Sequence, residues 1–248
     1  MPDEQTVPAR LMDSYVVLKA ALSRGMNVFL LPREVMLASY GPPVPAQVAF
    51  AHGVPEASTV SAVTFAQDRR LRRALVERSG GRNLKGATFS WRSVGRAVRW
   101  AEKNGYPVQV KTMVGENPAF ALRGIENEAE LVAAFSQLRL RSELDRTPGK
   151  NPDVAGYATT RLTFDFDEDG REVAPLRTRF LVEEDPQGAR VRAFVVGGEI
   201  VAAVTLDEAG FGLADVTDDL SEAETKSILV AADAIPGLAS ATVDILRP

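Results

Sequence analysis

The sequence predicts an α+β (mixed α/β) fold, and three observations carry that expectation. Segments with helical spacing of apolar residues alternate with short extended segments as far as Leu138. Three extended segments separated by turn residues follow between Phe180 and Leu206. A capped helix and one last extended segment then close the chain.

Taken in order, Ala9 to Arg24 places Leu11, Met12, Tyr15, Val16, Leu18, Ala21 and Leu22 at helical spacing, and Gly25 is a natural stop. Asn27 to Leu31 (NVFLL) reads as a short buried strand. Gly41 to Pro45 (GPPVP) is a breaker-rich loop, and Val48 to Pro55 is ambiguous. Ser61 to Arg78 reads as one helix with Val63, Ala66, Leu71, Ala74 and Leu75 on its apolar side, ended by Ser79-Gly80-Gly81. Ser90 caps a helix reaching about Asn104, with Trp91, Val94, Val98 and Trp100 as packing residues. After Gly105, Val108 to Lys111 is a strand that Ala119 to Leu122 can pair with. Glu128 to Leu138 is a periodic helix with Leu131, Val132, Phe135 and Leu138 inward. Arg139 to Pro152 is a polar linker or loop, and Leu162 to Phe166 alternates as a strand. Phe180–Glu184, Val191–Val196 and Glu199–Leu206 follow as strands, with Gly197-Gly198 as a hairpin turn between the last two. Ser221 and Glu224 form a capping box for a helix to Ala234, Gly237 ends it, and Ala241 to Leu246 is a final strand centred on Asp244.

Composition removes several function classes. The 248 residues are 45% hydrophobic, enough for one large domain or two small lobes. Net charge is −4 and pI about 5.3, which gives no global attraction to nucleic acid or anionic membrane. With no cysteine, disulfides, zinc–thiolate sites and cysteine nucleophiles are excluded. His52 is the only histidine, so no multi-histidine metal site is available; beside Gly53 and Pro55 it reads as a loop residue rather than a catalyst. The first residues, MPDEQT, have no signal-peptide character, no apolar run would span a bilayer, and a soluble cytoplasmic protein is expected.

Chemistry concentrates in Gly105 to Leu122, GYPVQVKTMVGENPAFAL. Alternation places Val108 and Val110 on one face of the strand, with Gln109 and Lys111 on the other. A lysine leaving a strand just before a flexible Gly115- and Asn117-containing segment can hold a phosphate as a point charge while loop amides close over it. The same pattern fits a hairpin with a solvated lysine. Only six of the 29 basic residues are lysines, which makes Lys111 more informative. Asp68 is followed by Arg69, Arg70, Arg72 and Arg73, a cluster that suits either a polyphosphate or acidic partner, or a solvated helix face. The acidic turn Asp167-Glu168-Asp169-Gly170 reads as a hairpin tip, with metal binding as its alternative.

In their order along the chain, several stretches resemble the ATP-grasp superfamily, in the manner of cyanophycin synthetase and D-alanine–D-alanine ligase. FAQDRRLRRALVERSG resembles the segment where Asp-Lys opens a helix, and GYPVQVK the strand carrying the phosphate-binding lysine. GIENEAELVAAF resembles the helix after the glycine-rich loop, and FLVEEDPQGARVRAFVVGGEIVAAV the adenine hinge and its following strands. DVTDDLSEAETKSILVAADAIPGLASATVDIL resembles the stretch ending on the first metal-binding carboxylate. The resemblance runs from about Ser58 onward. It implies a two-lobe fold, with 1–57 a partial N-terminal segment, 58–140 the N-terminal lobe and 141–248 a truncated C-terminal lobe.

The resemblance also implies ATP and magnesium as cofactors, and phosphorylation of a carboxylate followed by attack of an amine. Lys111 would contact ATP phosphates, and Glu183 and Glu184 would lie at the hinge, where backbone groups near Val182 to Glu184 would read the adenine edge. Arg69 stands in the Asp-Lys position, Arg192 falls on an arginine of the pattern, and Asp244 would hold magnesium. No residue is singled out as catalytic. The chain departs from the pattern at Arg69, at GENPAF in place of the phosphate loop, at Asp185-Pro186 and at Arg190 where a ribose-binding carboxylate is usual. It is expected to stop at Pro248, before the glutamate and asparagine that complete the family's magnesium site. Three readings follow: an ATP-dependent carboxylate–amine ligase relative with residual nucleotide binding, a non-catalytic scaffold or partner protein (a pseudoenzyme), and a half-enzyme completed by another subunit or a homo-oligomer.

Overall fold

The computed structural model describes residues 12–31, 35–41, 47–51, 53–114, 121–144, 165–166, 168, 172–173, 178–207, 210 and 212–247. Helix α1 (Met12–Ser23) leads into a meander of β1 (Asn27–Leu31), β2 (Val35–Ser39), β3 (Gln47–Ala51) and β4 (Val54–Pro55), paired in that order. β1 has the expected bounds but is not buried. It is the edge strand of this sheet, and Phe29 is 65% exposed.

Helices α2 (Val60–Gln67) and α3 (Arg69–Arg78) replace the single helix expected over 61–78. Asp68 is the reason. Its backbone is extended, it closes α2, and its carboxylate accepts from the N–H groups of Arg70 and Leu71 to open α3. The break resets the helical phase, so Ala62 and Val76 join Val63 in the interior while Leu71 is 42% exposed. Thr59 caps α2, and its N–H donates to the Gly237 carbonyl. Gly237 has φ +81°, and a Cβ there would lie 2.7 Å from Thr59 Oγ1, so both backbone angle and space demand glycine.

A second sheet combines β5 (Gly86–Ser90), β6 (Val108–Thr112), β7 (Ala121–Ile125) and β10 (Arg179–Glu184) in the order β5-β10-β6-β7. It therefore draws on residues from both sides of the expected boundary at 140. Between its strands lie a 3₁₀ turn, Trp91–Ser93, then α4 (Val94–Asn104), α5 (Glu128–Leu144) and a small ladder of β8 (Asp165–Phe166) with β9 (Glu172–Val173). The β6–β7 pairing is the expected one, with Lys111 opposite Ala121. α5 runs six residues past its expected end at Leu138, into the segment read as a linker. It buries Leu131, Ala134, Phe135 and Leu138, but Val132 is 39% exposed. α4 and α5 cover one face of the sheet, packing against Phe89, Val108, Val110, Ile125, Phe180 and Val182. Phe135 meets Phe180 edge-on at 5.2 Å between centroids.

The third sheet has β11 (Ala189–Val196), β12 (Glu199–Leu206), β13 (Gly212–Asp215) and β14 (Ser240–Arg247), ordered β13-β12-β11-β14. Gly197 and Gly198 take φ 60° and 83° and turn β11 into β12. α6 (Glu222–Asp233) opens with the expected capping box and packs Ile228 and Ala232 on Val191, Ala193, Val195 and Ala203. β2, β5 and β13 are strands the sequence reading did not anticipate. His52, the GENPAF loop, Asp167, Asp169 and Gly170 lie outside the described residues.

Candidate functional site

Alternation decides which side chains leave the core. Val108, Val110, Phe180 and Val182 face α4 and α5, so Gln109, Lys111, Leu181 and Glu183 occupy the opposite face of the second sheet. Lys111 lies across from Leu181, one diagonal step from Glu183. Its Nζ donates to Glu183 Oε1 at 2.5 Å. Glu183 Oε2 accepts from Arg73 Nη1 at 2.9 Å, and Arg73 Nη2 also reaches the Leu84 carbonyl. Glu183 is 4% exposed. Gly86 stands opposite it in β5, where a Cβ would lie 2.8 Å from that of Glu183, so the glycine leaves room for the carboxylate.

Arg69 begins α3 and is 8% exposed. Its Nε donates to the Thr112 carbonyl at 2.9 Å, and its N–H to the Met113 carbonyl at 2.9 Å. Arg123, on β7 just after the loop, holds Asp185 through Nε (3.1 Å) and Nη2, and the Gly124 N–H gives that carboxylate a third bond at 2.8 Å. Asp185 is 3% exposed. Burial works to raise its carboxyl, but Arg123, the Gly124 N–H and the Lys111 charge outweigh it and hold it below the usual carboxylate value. Burial, aided by the Arg69 and Arg123 charges, pulls the Lys111 ammonium down despite the opposing pull of Glu183.

On the third sheet, Val191, Ala193 and Val195 face α6, which turns Arg190 and Arg192 to the other face. Asp244 of β14 is opposite Arg192, and the two form a fork: Nε to Oδ1 and Nη2 to Oδ2, both 2.7 Å. Arg190 Nη2 donates to the Asp207 carbonyl at 2.5 Å. Burial and the neighbouring Arg123 charge lower the Arg190 guanidinium, against the pull of Asp244 and Asp185. Arg190 thus lies within electrostatic reach of Arg123 and Asp185 on the second sheet. Among the described residues, Lys111 and Arg73 share Glu183, Arg123 holds Asp185, and Arg192 holds Asp244, while Arg69 and Arg190 bond to backbone carbonyls.

Structural comparison finds ATP-grasp ligases. The chain superposes on biotin carboxylase from Campylobacter jejuni with a TM-score of 0.54 and 16% identity, covering 76% of this chain and 39% of that one. It superposes on D-alanine–D-alanine ligase from Bacillus anthracis with a TM-score of 0.53 and 11% identity, covering 77% and 56%. A bifunctional glutathione synthetase from Pasteurella multocida gives 0.50 and 12%, covering 95% and 37%. The chain has the ATP-grasp fold. No protein-family model matches it, and no curated protein matches it in sequence. The chain spans between 37% and 56% of the length of those three structures.

Within this fold, the expected site residues lie as follows. Lys111 and Glu183 touch each other, Arg69 anchors to the strand end beyond Lys111, and Arg192 and Asp244 pair across the third sheet. Glu184 lies apart from the cluster in function, since its Oε1 accepts from the Lys85 N–H at 2.8 Å. Arg123 was not singled out from sequence; Arg73 was named only within the Arg69–Arg73 cluster, and Asp185 only as a departure from the family pattern. For Arg73 the signal was present, because it lies four residues after Arg69 on the same helix face. Magnesium has a poor donor set here. Among the described residues no group of three or more His, Cys, Asp or Glu side chains could hold a metal, and both oxygens of Asp244 are bonded to Arg192. The described residues do not fit that ion in this arrangement. A shallow groove of about 370 Å³ is lined by the first sheet, around Phe29 and Leu37, and by Gly41 of its β2–β3 connection, and so belongs to a different part of the molecule. No helix among the described residues is long and apolar enough to cross a membrane.

Proposed function

We propose that this chain binds a phosphate-bearing ligand of the nucleotide class, ATP first among them, between the charged faces of the second and third sheets, and that the described residues do not carry out ligation. The observation that supports this is that Arg73, Lys111 and Arg123 gather around Glu183 and Asp185 at the end of β10, with Arg69 at the end of β6. Guanidinium forks and a lysine ammonium held at a strand end suit phosphate oxygens, and partial burial strengthens each contact. Glu183 positions Lys111 and Arg73, while Asp185 positions Arg123. Arg192 and Asp244 neutralise one another at the place where the ligases' pattern puts metal. With both Asp244 oxygens taken by Arg192, no free carboxylate is left there for a metal, so ligand binding is read as independent of magnesium.

A second reading, a non-catalytic scaffold, is favoured by the same ion pairs. Lys111, Arg123 and Arg192 each have a carboxylate of this chain as partner. A ligand has to compete with those carboxylates for contacts worth about 1.5–3 kcal/mol each. Calorimetry with millimolar ATP, in EDTA and again in magnesium, separates the two. Heat of binding in EDTA together with no ADP release in magnesium is the expected result. No heat under either condition leaves the scaffold reading, and Lys111-dependent ADP release overturns the non-catalytic half of the proposal.

A further inference from the structure

We infer that the site recognises its ligand through phosphate charge and does not read the edge of a nucleotide base. This deepens the binding reading above and rests on it. A base edge is read where a strand leaves its sheet and exposes an N–H and a carbonyl side by side, which the resemblance assigns to the segment at Glu183 and Glu184. In this chain those groups are committed elsewhere.

β10 lies between β5 and β6, so the backbone of Val182 and Glu183 is paired within the sheet on both edges. Beyond it the pairing continues. The Glu184 N–H donates to the Lys85 carbonyl at 2.9 Å, and the Asp185 N–H to the Pro107 carbonyl at 3.1 Å. Residue 186 is proline and has no N–H. From 184 to 186 no backbone donor remains for a ring nitrogen. The carbonyl side is engaged as well, since Gln109 Nε2 donates to the Glu184 carbonyl at 3.2 Å. Gln109 is 2% exposed, so its buried amide depends on that carbonyl and an exocyclic amine would have to share it. The side chains are equally occupied: Glu184 Oε1 takes the Lys85 N–H, and Asp185 takes Arg123 and the Gly124 N–H. The cations that would meet phosphate are in other strands and in α3, and of them Arg123 is held by this segment, through Asp185. A triphosphate therefore carries nearly all of the recognition, whatever base it bears.

The test is calorimetry on the full chain in EDTA with ATP, GTP and inorganic tripolyphosphate. The expected result is three Kd values within about threefold of each other, because hydrogen bonds to a base edge would separate them by about tenfold or more. ATP binding about tenfold tighter than both others overturns this inference and leaves the binding reading intact. No heat with any of the three overturns both. Lys111→Gln, checked for folding by its melting curve, is expected to weaken all three ligands by about tenfold. If that variant does not fold, Arg192→Gln serves in its place. Undiminished affinity in the folded variant would mean that the anions bind on some other surface, and the inference falls.

Discussion

The Glu183 cluster and the Arg192–Asp244 fork use the same chemistry in opposite surroundings. Glu183 has 6% of its side chain exposed and bridges Lys111 and Arg73, which are 21% and 18% exposed. Arg192 and Asp244 show 38% and 48% of theirs to solvent. Removing one partner from a buried network leaves a charge with neither water nor counter-ion, at a cost of about 3–5 kcal/mol. An exposed pair of good geometry is worth only about 0–1 kcal/mol, because water already solvates both halves. The first cluster belongs to the folded structure. The second is held loosely enough for an incoming anion to rearrange it.

The sharpest way to break this contrast is Glu183→Gln, which leaves Lys111 and Arg73 side by side without their carboxylate. A loss of about 3 kcal/mol is expected, or roughly 6–12 °C in the melting temperature of a chain this size. A urea titration showing less than about 1 kcal/mol would place Glu183 in the same class as the exposed pair. Between the extremes stands Glu224, bonded to Arg247 and to the Ser221 N–H at the start of α6. Arg247, then the Ser221 N–H, lower its carboxyl to about 2, against a small opposing effect of burial. A depressed carboxyl stabilises the fold fully above its unfolded value of 4.5 and loses that contribution as pH falls toward about 2. Melting curves between pH 5 and pH 2 should therefore slope downward, and Glu224→Gln should flatten that slope; an unchanged slope would remove Glu224 as its cause. The smallest effect is expected from Asp244→Asn, under about 1 kcal/mol by urea titration. A larger loss would make the fork structural like the Glu183 cluster.

Much of the architecture was legible in the residues themselves, where local chemistry and tertiary packing agree. Asn27–Leu31 and Glu199–Leu206 have their expected bounds, and the Ser221–Glu224 box and the Gly197-Gly198 turn fall where their side chains and backbone freedom require. Legibility failed where a single residue changed the local phase. Asp68 interrupts a run whose spacing otherwise continues, and only its double role as cap shows why two helices are better than one. β5 and β13 carry glycine and alanine rather than a clear alternation, and pairing with β10 and β12 makes them strands. In the site, strand alternation placed Lys111 on the face away from the core, while Glu183 was named only through the resemblance, as a hinge residue. Neither the Lys111–Glu183 pair nor the Arg123–Asp185 pair was legible, since their partners are 72 and 62 residues apart and only the folded sheet brings them together.

The α2 helix has a mechanical consequence. One end is tied to the connection before β14, through the Thr59 N–H on Gly237 and the Ala239 N–H on Ser58 Oγ. The other end is tied to the end of β6, through the Asp68–Val114 bridge and the two bonds of Arg69. Eight residues at 1.5 Å per residue make a strut of about 12 Å between these anchors. The rod thereby sets the distance between the connection before β14 and the end of β6, the strand that carries Lys111.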